Sequence, residues 1–182
     1  MEQSSKTLTF VVPAYNMETY LERCVESLLS ATDNSDIEVL IVDDGSSDGT
    51  PELADMYERR WPGNVRAIHQ VNKGHGGAVN TGIANATGMY VKVVDADDWV
   101  DMPSIDTLMG TLRVQRVATD PVDMIVTNYV YDKVGKRVKH TVNFRHAMAA
   151  NTVLGWDDLG CFGVAEYILT VSYTHLRAHE TP

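Results

Sequence analysis

Apolar residues in this chain come in short runs, and most of the runs end on a polar cluster. Residues 8–12 form one such run, closed by Pro13. It predicts a buried strand ended by a residue that cannot continue a ladder. Thr19 with Glu22 has the spacing of a capping box and predicts the start of a helix. Leu21, Cys24, Val25, Leu28 and Leu29 recur at helical spacing and give that helix one buried stripe. Residues 37–42 predict a second buried strand, ended by Asp43-Asp44-Gly45-Ser46-Ser47. Thr50-Pro51 reads as N-cap and first residue of a second helix. Residues 65–69 form a weaker third strand. The glycine-rich turn Asn72-Lys73-Gly74-His75-Gly76-Gly77 precedes a helix over about 78–86. Residues 90–94 form a fourth strand that runs into Asp95-Ala96-Asp97-Asp98. A further helix is expected from Pro103 to about Ala118. Strands follow at 123–131 and 137–144, joined by a turn at 132–136.

Alternating strands and helices with short joins imply an α/β fold, a mostly parallel sheet with helices on both faces. Ligands of such sheets bind beyond the carboxyl ends of the strands. Each polar cluster follows a strand, so the clusters should meet along one edge.

Length and composition add limits. The 182 residues are enough for one domain and part of a second, and 44% hydrophobic with 22% charged residues describes a soluble globular chain. The net charge of −10 argues against a nucleic-acid surface. It does not exclude a phosphate ligand, because a bound metal supplies positive charge. The two cysteines, Cys24 and Cys161, show no pairing pattern, which points to a reducing, cytoplasmic compartment with Cys24 in the core. No signal-peptide pattern opens the chain, and no apolar run is long enough to span a bilayer.

Four clusters carry candidate chemistry. In Pro13-Ala14-Tyr15-Asn16, Tyr15 offers a ring for a base, although an ordinary strand-to-helix turn would look the same. Asp43 and Asp44 are adjacent carboxylates that repel each other, which makes sense if one accepts hydrogen bonds from a ligand. A uracil N–H or a ribose hydroxyl would suit, and an Asx-turn with a helix cap is the competing reading. The glycines around Lys73 let a backbone approach a phosphate closely. Their spacing matches neither a P-loop nor a Rossmann dinucleotide site. His75 in that turn reads as a solvated loop histidine. Asp95-Ala96-Asp97-Asp98 places three carboxylates within four residues, at the cost of repulsion unless a cation sits among them. Hard oxygen ligands select Mg²⁺ or Mn²⁺. An acidic surface turn is the plainer alternative.

In this order the clusters resemble glycosyltransferase family 2, an inverting family with the GT-A fold. The resemblance is carried by Phe10-Val11-Val12-Pro13-Ala14-Tyr15-Asn16, by Glu38-Val39-Leu40-Ile41-Val42-Asp43-Asp44-Gly45-Ser46-Ser47-Asp48-Gly49-Thr50, by Asn72-Lys73-Gly74, Asn80-Thr81-Gly82 and Ala86-Thr87-Gly88, and by Asp95-Ala96-Asp97-Asp98. It implies transfer of a sugar from a nucleotide-diphosphate donor, usually a UDP-sugar, to a saccharide or lipid-linked acceptor. It also implies that Pro13, Tyr15 and Asp44 hold the uracil and ribose, with Ala14, Asn16, Asp43 and Lys73 in the same nucleotide site. Asp95 would lie near the ribose or donor sugar, and Asp97 with Asp98 would bind the metal. Residues 7–105 would be the nucleotide-sugar-binding half and 106–170 a partial acceptor side.

The family also needs a general base in its second half, commonly in a Glu-Asp pair. No such pair follows Asp98; Asp157-Asp158 and Glu166 are the acidic candidates from residue 150 to 170, and neither has that context. Residues 171–182 lack an amphipathic period and resemble a sequencing adapter translated in frame. The expectation is therefore a truncated, inactive fragment with a non-native tail, in which His175 and His179 are not metal ligands. Two other functions compete: a non-catalytic nucleotide-binding module, and a nucleotidyltransferase. The latter expects a Gly-rich, basic loop after the first strand, which residues 13–18 lack. Membrane association would belong to the full-length protein alone.

Overall fold

The computed structural model describes residues 6–131, 140–144, 152–153 and 176–177. The chain divides into two units, residues 1–123 with 175–182, and residues 124–174.

The first unit is a five-stranded sheet. Its strands are β1 (Leu8–Ala14), β2 (Ile37–Asp43), β3 (Val65–His69), β4 (Tyr90–Val93) and, numbered last in the chain, β7 (Leu176–Arg177). Their spatial order is β3-β2-β1-β4-β7. The first four are parallel, and β7 pairs antiparallel with Tyr90 and Val91 at the open edge. An exposed strand edge offers such a ladder to any extended segment.

Four helices connect and flank the strands: α1 (Glu18–Leu28), α2 (Thr50–Arg60), α3 (Gly74–Asn85) and α4 (Met102–Arg116). Parallel strands joined by right-handed crossovers decide their sides. The steps β1-α1-β2 and β2-α2-β3 run in one direction, so α1 and α2 share a face. The step β3-α3-β4 runs the other way, so α3 takes the opposite face. There Ala78 and Ala86 close on Val11, Leu40, Val42 and Val91, all buried. Gly82 lets this helix lie flush, since a Cβ on it would come within 2.1 Å of Val11 Cγ1. On α1 the residues Leu21, Cys24, Val25 and Leu28 are buried, as the helical stripe predicts. Helix α4 is tied along its length to the α1–β2 connection, where Arg113 meets Asp36 at 2.6 Å and Asp106 accepts from Thr32.

Several boundaries differ from the pattern. β1 does not stop at Pro13 but runs to Ala14, with Pro13 opposite Val42. Ala14 accepts from Asp44 N on the β2 side, so by alternation Pro13 faces β4. The β4 ladder has ended by then, at Val11 opposite Val93, so the missing N–H costs no bond. The capping box does not form. Met17 is the N-cap of α1, and the next loop caps the helix: Met17 N donates to Thr50 Oγ1 and Glu18 N to Asp48 Oδ2. Thr50 is therefore inside α2, with Gly49 as N-cap. The glycine turn is largely the first turn of α3, which begins at Gly74 rather than near 78.

The second unit shows a two-stranded antiparallel ladder of β5 (Tyr129–Tyr131) and β6 (His140–Val142), shorter than the expected strands. The turn at 132–136, Cys161, Asp157, Asp158 and Glu166 lie outside the described residues, as does the tail apart from 176–177. Among the described residues no helix is long and apolar enough to cross a membrane.

Candidate functional site

The crossover direction reverses at β1 and β4, and the crevice beyond the carboxyl ends of those strands is where sheets of this kind take ligands. The structure brings three of the four polar clusters to this edge of the sheet by strand position, and it brings the glycine cluster there through the start of α3.

Asp43 and Asp44 end β2, and the fold separates their roles. Asp43 is occupied: Oδ1 accepts from Ser46 N at 3.0 Å, and Oδ2 lies 3.0 Å from His69 Nδ1. His69 Nε2 in turn meets Asp55 at 3.1 Å. Asp44 is 2% exposed, and a carboxylate so enclosed requires donors. Its Oδ1 accepts from Gln70 Nε2 at 2.6 Å and from Lys73 N at 2.8 Å. Burial pushes its carboxyl up, but Gln70, the amides of Lys73 and Gly74 and the Lys73 charge outweigh this and hold it below the ordinary carboxylate range. Asp44 is thus a fixed anion at the mouth of the crevice.

Tyr15 follows β1 and is 49% exposed, a free ring beside that anion's strand. Asn16 sits at φ 55°, a left-handed conformation that Asn tolerates. Its side-chain carbonyl accepts from Ser47 N at 2.8 Å, and its backbone N–H donates to Ser46 Oγ at 2.9 Å. Asn16 therefore clamps the turn after β1 to the loop after β2. Gly45, at φ 74°, belongs to that loop, and a Cβ there would come 3.0 Å from Asn72 N.

The acidic cluster is a turn closed by Asp98 N on Asp95 O at 2.9 Å. Three residues of α1 hold it from below. Cys24 Sγ lies 3.7 Å from Asp95 O, Ser27 Oγ accepts from Val100 N at 3.1 Å, and the Arg23 guanidinium covers the Trp99 ring at 3.3 Å. Asp97 and Asp98 are exposed, and Asp95 is half-buried. Burial, then the charges of Asp97 and Asp95, push the Asp98 carboxyl up, with Lys92 opposing. Burial and the same cluster push the Cys24 thiol up to about 12, so it stays a neutral core residue.

The start of α3 joins the two acidic sites. Lys73 N donates to Asp44, and two residues on His75 Nε2 lies 2.9 Å from Asp95 Oδ1. His75 is therefore not a loop histidine but a first-turn helix residue tied to Asp95.

Residues 9–164 match the family model described as Glycosyl transferase family 2, which covers most of the chain. The chain belongs to this family. Among curated relatives, glycosyltransferase GlyG of Streptococcus pneumoniae is 40% identical over 131 residues, 71% of this chain and 41% of that protein. Among solved structures, S. aureus TarS in complex with UDP matches at TM-score 0.55 and 26% identity, over 60% of this chain and 33% of that one. The mannosyltransferase PcManGT from Pyrobaculum calidifontis, in complex with GDP-Man and Mn²⁺, matches at TM-score 0.56 and 26% identity, over 68% of this chain and 36% of that one. The family-2 chain spans less than half the length of the first curated relatives it matches. Its sheet is the GT-A-like α/β architecture of those glycosyltransferases.

Several residues that shape the family-2 site escape sequence reasoning. Gln70 and Thr81 support Asp44, and Arg23 and Ser27 support the acidic turn. Thr81 lies in the Asn80-Thr81-Gly82 segment, but nothing in that pattern marks it as a partner of Gln70, and Gln70 and Arg23 lie in no charged or glycine cluster. His75 lies inside the glycine cluster, and the signal that would have found it is the earlier start of α3.

Proposed function

We propose that residues 7–105 bind a nucleotide-diphosphate sugar at this edge, a UDP-sugar in the first instance, as the donor site of an inverting glycosyltransferase. The observation that carries the reading is the bridge at α3: one short segment touches Asp44 with its backbone and Asp95 with a side chain. A nucleoside at Asp44 and a diphosphate at the acidic turn would then lie along one continuous surface. Asp44 accepts from the base or ribose, Tyr15 stacks on the base, and Pro13 and Ala14 line its edge. Asn16 and Asp43 act by holding the two loops together, and Lys73 presents its amide to Asp44 and its charge to the donor. Asp95, steadied by His75, faces the ribose or donor sugar.

A divalent ion, Mg²⁺ or Mn²⁺, belongs at Asp97 and Asp98. The donor set fits it: the oxygens are hard, and desolvation, then the charges of Asp97 and Asp95, raise the Asp98 carboxyl, a cost that a cation would offset. Asp97 and Asp98 would supply one or two ligands, with phosphate oxygens and water supplying the rest, as these ions prefer. When bound, the ion stabilises charge on the leaving diphosphate. The acceptor is a saccharide or glycolipid of polysaccharide synthesis, met on the cytoplasmic side. Sugar transfer by the 182 residues alone is expected to be negligible, because inversion also needs a base at the acceptor hydroxyl.

Calorimetry with UDP, with and without Mn²⁺, tests the reading. Binding should require Mn²⁺ and be lost in Asp97→Ala. Metal-independent binding, or no binding by a folded sample, would overturn the donor site. Robust turnover with any acceptor would overturn the inactive-fragment reading.

A further inference from the structure

Asp44 is held by more than its own loop. Gln70, the residue after β3, donates Nε2 to Asp44 Oδ1 at 2.6 Å. Its other amide atom, Oε1, accepts from Thr81 Oγ1 at 2.6 Å. Thr81 lies on α3, eight residues past Lys73, whose amide donates to the same Asp44 oxygen. The orientation of the Gln70 amide follows from these neighbours. An ionised carboxylate only accepts, so the NH₂ end must face Asp44 and the carbonyl end must face the Thr81 hydroxyl. A flipped amide would set two acceptors against each other inside a buried site.

We propose that Gln70 and Thr81 are positioning residues for base selection: the chain Thr81–Gln70–Asp44 saturates one oxygen of Asp44 and aims the other at a ring N–H of the nucleotide base. The inference rests on the donor-site reading above. Uracil presents an imide N–H at ring position 3, which a carboxylate accepts. Cytosine presents a lone pair at the same position, which a carboxylate repels. Neither Gln70 nor Thr81 needs to touch the nucleotide. Their effect is to keep Asp44 ionised, in one rotamer, with its free lone pairs toward the crevice. Without Thr81 the amide loses its second anchor, and without Gln70 the carboxylate is free to turn or take a proton. Either change blunts the distinction between an N–H and a lone pair more than it weakens the site in general.

Calorimetric titrations of the whole chain with UDP and with CDP, both with Mn²⁺, test this on the wild type, Gln70→Ala, Thr81→Val and Thr81→Ser. The wild type should favour UDP, and the ratio of UDP to CDP affinities should fall about tenfold in Gln70→Ala and Thr81→Val. Thr81→Ser, which keeps the hydroxyl, should restore it, with thermal melting unchanged between the two Thr81 variants. Variants that keep the wild-type ratio, or that weaken UDP and CDP equally, would overturn the positioning role while leaving the donor site intact. Wild-type chain that binds UDP and CDP alike would overturn base selection by Asp44. Wild-type chain that binds neither would overturn the donor-site reading and this inference with it.

Discussion

His69 sits between Asp43 and Asp55, and its position shows how single residues at this edge trade charge. The hydrogen bond its ring donates to Asp43 raises its pKa above the ordinary 6.5, burial opposes, and Asp55 adds to the rise. A group whose folded pKa is raised stabilises the fold fully below its unfolded value and loses that contribution as pH rises through the folded one. Stability to urea should therefore drop as pH passes from 6.5 upward through the raised value, and the His69→Gln variant should lack that drop. The side chain is 42% exposed, so solvent screening keeps the effect below about 1 kcal/mol. An unchanged pH profile in the variant would show that His69 is not the titrating group. The adjacent pair Asp43-Asp44 was legible as two carboxylates at a strand end that must take different partners. Which member is spent on the fold was not, because that depends on His69 and Gln70, whose contacts cross from β3 to β2.

At the scale of elements, the strands were legible as short apolar runs closed by polar clusters, and α1 by its stripe at helical spacing. The ends were not, because partners distant in sequence set them. Asp48 and Thr50 cap α1 across about thirty residues, so Thr19 and Glu22 are not needed. The glycines at 74, 76 and 77 suggest a loop, yet they start α3, since tertiary packing overrides weak helix propensity. Gly82 and Gly76, both in α3, should then respond differently to alanine. Gly82→Ala drives a Cβ into Val11 and should cost about 1–3 kcal/mol of overpacking. At Gly76 a Cβ meets nothing within 4 Å, and the exposed helix site should gain up to about 1 kcal/mol. Urea denaturation of both variants checks this, and equal effects would mean that α3 does not lie against β1 as described. Glu38, buried at 4% exposure beneath the opposite edge, accepts from Thr9 and from Thr87. Glu38→Ala should destabilise by about 2–4 kcal/mol, because those donors lose their acceptor, and a loss below about 1 kcal/mol would contradict the role.

For the whole molecule, the order β3-β2-β1-β4 and the alternation of right-handed crossovers fix the functional edge before any side chain is considered. That level was legible from the sequence, because every acidic or turn cluster follows a strand. What ties the clusters into one site, the start of α3 touching both Asp44 and Asp95, was not, since it needs the helix to begin earlier than its apolar residues suggest. The central claim is that a nucleoside diphosphate spans from Asp44 to the acidic turn with a divalent ion at Asp97 and Asp98. A co-crystal with UDP and Mn²⁺, read by the anomalous signal of manganese, tests it most directly. The account predicts one manganese peak within coordination distance of the Asp97 or Asp98 carboxylate and of the diphosphate, with the uracil against Asp44. A nucleotide bound away from Asp44, or bound at Asp44 with the manganese on other residues, would contradict it.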